Sequence, residues 1–111
     1  MTSAVLYHWK LKPGRDEEFR QAWEDGTRQI HQLCGSHGAI LHKGEDGTYW
    51  SYACWPSEHT RQICFNETDW FSQECFQRMR DCIEERFEET RLELTNDLLQ
   101  DRTPKIDPVI L

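Results

Sequence analysis

Two histidines stand where a proton acceptor would be useful. His8 and His42 each fall in a short segment that alternates apolar and polar residues. An imidazole titrates close to neutral pH, so either can take a proton from a weakly acidic group. His42, beside a glycine-rich link, is the first choice for that base and His8 the second. For each residue alone, a surface or hydrogen-bonded histidine is the commoner role. The second group of candidates is aromatic. Tyr7 and Trp9 share one strand face, as do Trp50 and Tyr52; Trp55 ends the latter segment and Trp70 opens a helical one. Rings with an N–H or O–H at one edge are costly to bury in a plain core without partners. As a set they suit the walls of a slot for a small planar aromatic molecule. Other chemistries have no support. His31, His37, His59 and Cys34 lack the short spacings of a metal site, so no metal is expected. Ser36 and Ser57 lack the G-x-S-x-G setting of a hydrolase nucleophile. The five cysteines (34, 54, 64, 75 and 82) include no C-x-x-C and are odd in number. They are expected to be reduced and mostly packed, with Cys75 and Cys82 two turns apart on one helix face.

The elements that must position these groups follow from periodicity. Ala4 to Leu11 alternates as a strand and stops at Pro13-Gly14. Asp16, Glu17 and Glu18 favour a helix start, and Phe19, Ala22, Trp23, Ile30 and Leu33 recur at helical steps until Gly35. Ala39 to Lys43 and Tyr49 to Trp55 flank Gly44-Glu45-Asp46-Gly47 and read as a hairpin. Ser57 is a cap for a short helix running to about Phe65. A second helix is expected from about Trp70, with Phe76, Met79, Cys82, Ile83 and Phe87 on its stripe. Arg91 to Thr95 reads either as a last strand or as a prolongation of that helix. Pro104 and Pro108 mark an extended tail over 100–111 that follows a core over 4–99, all in one domain spanning 1–111.

The order β-α-β-β-α-β is the ferredoxin-like arrangement, an α+β fold with a four-stranded antiparallel sheet and helices on one face. Apolar residues at both parities of the strands leave the second face in need of a cover. A second copy of the chain, sheet against sheet, supplies it, so a homodimer is expected. The chain has 111 residues and a formal charge of −7. Only 22 residues are Leu, Ile, Val or Phe, while Trp, Phe and Tyr together number 13, which makes the apolar surface unusually aromatic. An acidic chain without a basic run gives no electrostatic case for nucleic acid or an anionic membrane. No apolar run approaches a membrane span, and the first residues do not read as a secretory leader. A cytoplasmic location is the expectation.

The residues also carry a resemblance. Trp9-Lys10-Leu11-Lys12-Pro13-Gly14, followed by acids and by Phe19, Ala22 and Trp23, resembles the opening of antibiotic-biosynthesis-monooxygenase-like (ABM) domains. Leu41-His42-Lys43-Gly44, with Asp46-Gly47-Thr48 and Trp50, is similar to their central hairpin. Tyr52-Ala53 with Trp55-Pro56-Ser57-Glu58 resembles their third strand entering the next helix. Arg91 to Leu94 and Asp97-Leu98-Leu99 resemble the closing strand. The similarity runs from about Ala4 to Leu99.

The resemblance implies a dimeric α+β barrel whose Tyr7–Trp9 face looks into a pocket between sheet and helices. It implies a monooxygenase or oxidase that uses molecular oxygen without a cofactor on a small quinol- or polyketide-like aromatic. His42 or His8 would be the base there, with a Tyr or Trp hydrogen stabilising the anion. The alternative within the same fold is a dimeric small-molecule-binding domain without turnover. The haem-degrading branch carries an Asn, a Trp and a His where this chain places Tyr7, Cys64 and Cys75, so the resemblance does not extend to haem.

Overall fold

The computed structural model describes residues 2–100, the Phe71 side chain apart. The expected tail over 100–111 lies, beyond Gln100, outside the described residues. The chain runs β1 (Ser3–Leu11), α1 (Asp16–Cys34), β2 (Gly38–Lys43), β3 (Tyr49–Trp55), α2 (Glu58–Glu67), a short helical turn (Trp70–Ser72), α3 (Glu74–Cys82), β4 (Ile83–Arg86) and β5 (Thr90–Glu93). The sheet is antiparallel, in the order β2-β3-β1-β4, with β5 also paired to β1. This is the ferredoxin-like α+β architecture. None of the described helices is long and apolar enough to cross a membrane.

Local chemistry sets the element ends. The Pro13-Gly14 turn closes β1, with Gly14 at φ 75°, a left-handed conformation that costs glycine nothing. Three acids fill the first turn of α1, and Gly35 ends it at φ 72° while its N–H bonds the His31 carbonyl. Ser57 caps α2 by accepting a hydrogen bond from the Thr60 N–H at 3.0 Å.

The last third of the chain departs from its periodicity. The expected helix from Trp70 through Phe87 stops at Cys82, and Ile83–Arg86 is strand. Glu and Arg are good helix formers, so the local pattern favours helix there. The free edge of β1 wins instead: Lys12 N–H takes the Cys82 carbonyl at 2.8 Å, and Trp9 pairs with Arg86. The chain then bows out at 87–89 and returns as β5, which pairs Ser3–Leu6 with Thr90–Glu93. The expected fourth strand is thus delivered in two pieces along one edge of β1, giving five strands rather than four. Phe87, expected on the helix stripe, instead stacks on His8 across the sheet.

The side chains alternate as their parity requires. Val5 and Trp9 are both buried, and Trp9 packs against Phe19, Ala22, Tyr49, Met79 and Cys82. A second cluster of Trp55, Cys64 and Trp70 lies under α2. On the opposite face, Leu6, Tyr52 and Ile40 are in register, as are His8, Trp50 and His42. No described helix covers that face.

One expectation about the cysteines is overturned. Cys34 and Cys64 form a disulfide with their Cα atoms 5.6 Å apart, tying the end of α1 to α2. Only Cys54, Cys75 and Cys82 are free thiols. The pairing arises from the packing of α1 on α2, and a sequence separation of 30 carries no motif that would show it. The bond also weighs against the cytoplasmic expectation, because disulfides persist mainly in oxidising compartments.

Candidate functional site

A cavity of about 580 Å³ lies between the sheet and the three helices. That volume falls in the range of small-molecule sites. Its walls are mostly rings. Trp9 and Tyr7 enter from β1, Trp55 from the end of β3, Trp23 from α1, Phe65 from α2 and Phe76 from α3. Strand alternation brings Tyr7 and Trp9 to the same face, where their rings stack with centroids 5.7 Å apart and planes 6° from parallel. Ser51 and Ala53, at alternate positions of β3, form the small-residue floor between them. Small floor residues leave the space that the large wall residues enclose. The Trp23 indole N–H is held by the Ser51 hydroxyl at 3.1 Å, which fixes that ring against the floor.

One end of the cavity is polar. Arg61 of α2 donates from Nε and Nη2 to the Tyr7 hydroxyl at 3.3 and 3.2 Å. It also donates to both Glu89 carboxylate oxygens at 3.1 Å and to Glu58 at 2.8 Å. The Arg61 side chain is only 12% exposed, so these partners replace its lost hydration. Its guanidinium lies 5.6 Å from the Phe65 ring centre. Burial pushes the Tyr7 phenol above its ordinary value of 10.0, and the Arg61 guanidinium offsets only part of that rise. Tyr7 therefore stays protonated at neutral pH. Thr27, Ser36, Ser51, Arg80, Glu84 and Arg86 also line the cavity.

The six rings singled out in the sequence do not form one wall. Tyr7, Trp9 and Trp55 line the cavity. Trp50 and Tyr52 occupy the alternate positions of β3 and lie on the uncovered face of the sheet. Trp70 is buried in the second cluster, where its indole N–H donates to the Cys64 carbonyl at 3.3 Å. The two histidines also lie on the uncovered face. His8 is sandwiched between Trp50, at 3.5 Å between ring centres, and Phe87, at 4.3 Å. Its Nε2 is 2.8 Å from the Thr48 hydroxyl, which spends its own hydrogen on Asp46 at 2.7 Å. Nε2 is therefore the protonated nitrogen. His42 is exposed on β2. Neither imidazole lines the cavity, so neither reaches a molecule held there by the same chain.

The residues that replace them were hidden to different degrees. Trp23 and Phe76 lie on the helix stripes that the periodicity shows, and only the packing reveals that those stripes border a void. Arg61 had a weaker signal: Glu58, Arg61 and Phe65 are spaced three and four apart, on one face of α2. Glu89 lies in the link between β4 and β5, which the helix expectation concealed. Among the described residues no three His, Cys, Asp or Glu side chains converge as a metal site. Cys64 is tied up in the disulfide, and burial pushes the Cys75 thiol up.

No family model matches the sequence, and no curated protein matches it. Solved structures do. A candidate antibiotic biosynthesis monooxygenase from Bordetella bronchiseptica superposes with a TM-score of 0.73 at 18% identity, covering 86% of this chain and 98% of its own. SnoaB, a cofactor-independent oxygenase from Streptomyces nogalater, gives 0.67 at 13% identity, covering 89% and 98%. A further candidate antibiotic biosynthesis monooxygenase from Caulobacter crescentus gives 0.64 at 16% identity, covering 86% and 91%. At such identities the likeness shows the fold alone: this chain has the α+β fold of these structures.

Proposed function

We propose that this protein is a cofactor-independent oxygenase acting on a small planar phenol or quinol held in the ring-walled cavity. The observation that carries the reading is the cavity itself, with flat walls, an apolar interior and one polar end. The likeness in fold to SnoaB supports it. In such a site the substrate supplies the electrons. Its ring hydroxyl ionises, the anion reduces molecular oxygen, and the resulting peroxide breaks down. For a substrate with a CH2 carbon, one oxygen atom becomes the product carbonyl and the other leaves as water, the four electrons coming from that carbon. The protein's part is to orient the ring, exclude water and stabilise the oxyanion.

The same geometry limits the substrate. Of the two carboxylates that line the cavity, Glu89 is engaged by Arg61 and Glu84 by Lys10, and no histidine lines the space. A substrate whose hydroxyl ionises readily therefore suits the site better than an ordinary phenol. That absence of a lining histidine also favours the second reading, a binding domain from which the ligand emerges unchanged. We further propose that two copies pack through the uncovered sheet face, which would place Leu6, Ile40, Trp50, Tyr52 and the two histidines between subunits.

The test is a panel of quinols and hydroxylated anthrones, followed by quenching of tryptophan fluorescence and by oxygen uptake. Quenching with uptake supports the oxygenase. Quenching with quantitative recovery of the ligand supports the binder. No quenching by any planar ligand sinks both.

A further inference from the structure

The Tyr7 hydroxyl has one proton to donate and two lone pairs to accept with. Arg61 supplies two of the hydrogen bonds it accepts, from Nε at 3.3 Å and Nη2 at 3.2 Å. A guanidinium cannot accept in return, so the phenol proton must be directed elsewhere. Glu89, on that side, accepts from Arg61 through both carboxylate oxygens and takes no hydrogen bond from Tyr7. Among the described residues none accepts from Tyr7. The remaining direction is the cavity, which Tyr7 lines.

We propose that Tyr7 holds the anionic oxygen of the bound molecule, and that the cavity takes aromatic compounds whose ring hydroxyl ionises. The inference rests on the cavity being the ligand site and names the group that selects its ligand. Hydrogen bonds donated to Tyr7 by a cation polarise its O–H, and such a donor is strongest toward an anion. Burial keeps the Tyr7 proton in place across the neutral range, so the donor does not titrate away. Arg61 acts through Tyr7 as a positioning residue. The Arg61 fork is filled by Glu58 and Glu89, so Arg61 itself offers a ligand carboxylate no free bidentate pair, although Arg80 and Arg86 also line the cavity. A single phenolate oxygen needs only one donor. The Tyr7 ring stacks on Trp9 with planes 6° from parallel, which fixes the orientation of that donor. The ligand proton passes to solvent on binding, and no bond to the protein is formed.

The probe is β-naphthol, whose ionisation is visible in its absorbance, with its methyl ether as the ligand that cannot ionise. Binding to the full chain is followed by tryptophan quenching, for wild type and for Tyr7→Phe. Phenylalanine keeps the ring on Trp9 and removes only the hydroxyl, so the fold is retained. In the wild type, bound naphthol should ionise at a lower pH than free naphthol. In Tyr7→Phe its affinity should fall about tenfold, the size of one charge-assisted hydrogen bond, and its ionisation should return toward the free value. The ether should bind both proteins alike. If Tyr7→Phe changes neither the affinity nor the ionisation of naphthol, or weakens naphthol and ether equally, the role of Tyr7 is overturned while the cavity stands. If neither probe binds wild type, the cavity reading fails and the inference fails with it.

Discussion

The Cys34–Cys64 bond joins the end of α1 to the helix that carries Arg61 and Phe65, so its removal should be felt both in stability and at the site. The cross-linked residues are separated by 30 positions. The chain-entropy relation then gives about 3.6 kcal/mol of stabilisation at room temperature. Unfolding entropies near 2.1 cal/mol/K per residue, taken over 111 residues, turn that into a fall of roughly 15 °C in Tm. Thermal unfolding followed by circular dichroism, with and without reductant, measures it. The Cys34→Ser/Cys64→Ser double variant controls for effects of the reductant elsewhere. The reduced protein and the double variant should melt together and well below the oxidised protein. Ligand affinity should fall in both, because α2 packs on β3 and α1 through few other contacts and carries Arg61 with it. Equal midpoints for oxidised and reduced protein would refute the reasoning, since the loop constraint would then contribute nothing to the unfolded state.

Four further outcomes are expected. All three tyrosines have raised pKa values, through burial first in each case. Their contribution to stability is therefore whole below pH 10.0 and lost as pH rises through the shifted values; a spectrophotometric titration showing a tyrosine ionising at the ordinary value in the folded protein would contradict this. At Gly26 of α1 a Cβ would sit 3.2 Å from the Phe76 Cζ. Gly26→Ala should therefore gain about 1 kcal/mol of helix propensity and lose a similar amount to the contact, leaving stability nearly unchanged while Phe76 is pressed toward the cavity and ligand affinity drops, as paired melting and quenching measurements would show. Ser57→Ala removes the cap of α2 and should cost about 1 kcal/mol in denaturant unfolding. Trp50→Glu puts a charge at the centre of the uncovered sheet face, and sedimentation should find the wild type a dimer and this variant a monomer; a wild-type monomer at micromolar concentration would end the dimer proposal.

What the sequence made legible was what local spacing encodes. The alternation of β1, the stripe of α1 from Phe19 to Ile30, the hairpin around Gly44 to Gly47 and the Ser57 cap each rest on a few neighbouring residues, and each appears in the structure; Leu33, expected on the same stripe, is exposed instead. The α3–β4 boundary was hidden because Ile83-Glu84-Glu85-Arg86 suits a helix locally, and only the open edge of β1 makes it strand. The site was half legible for the same reason. Parity put Tyr7 and Trp9 on one face and Trp50 and Tyr52 on one face, but parity alone does not say that these are opposite faces of the sheet. The β1–β3 register decides that, by pairing Tyr7 with Ser51 and His8 with Trp50. His42 and His8 do lie near rings in the sequence, but those rings belong to the uncovered face. The Arg61–Tyr7–Glu89 cluster joins three elements distant in sequence, and no single window of residues contains it.

The most direct test of the central claim supplies the purified protein with a hydroxylated anthrone under heavy-isotope oxygen gas, in buffer freed of metals by a chelator. Mass spectrometry of the product should show one heavy oxygen atom in the new carbonyl, formed well above the protein-free rate and slowed when Ala53→Leu fills the cavity floor. Anthrone that binds, quenches the tryptophans and is recovered without heavy oxygen would contradict the oxygenase and leave a binding domain in its place.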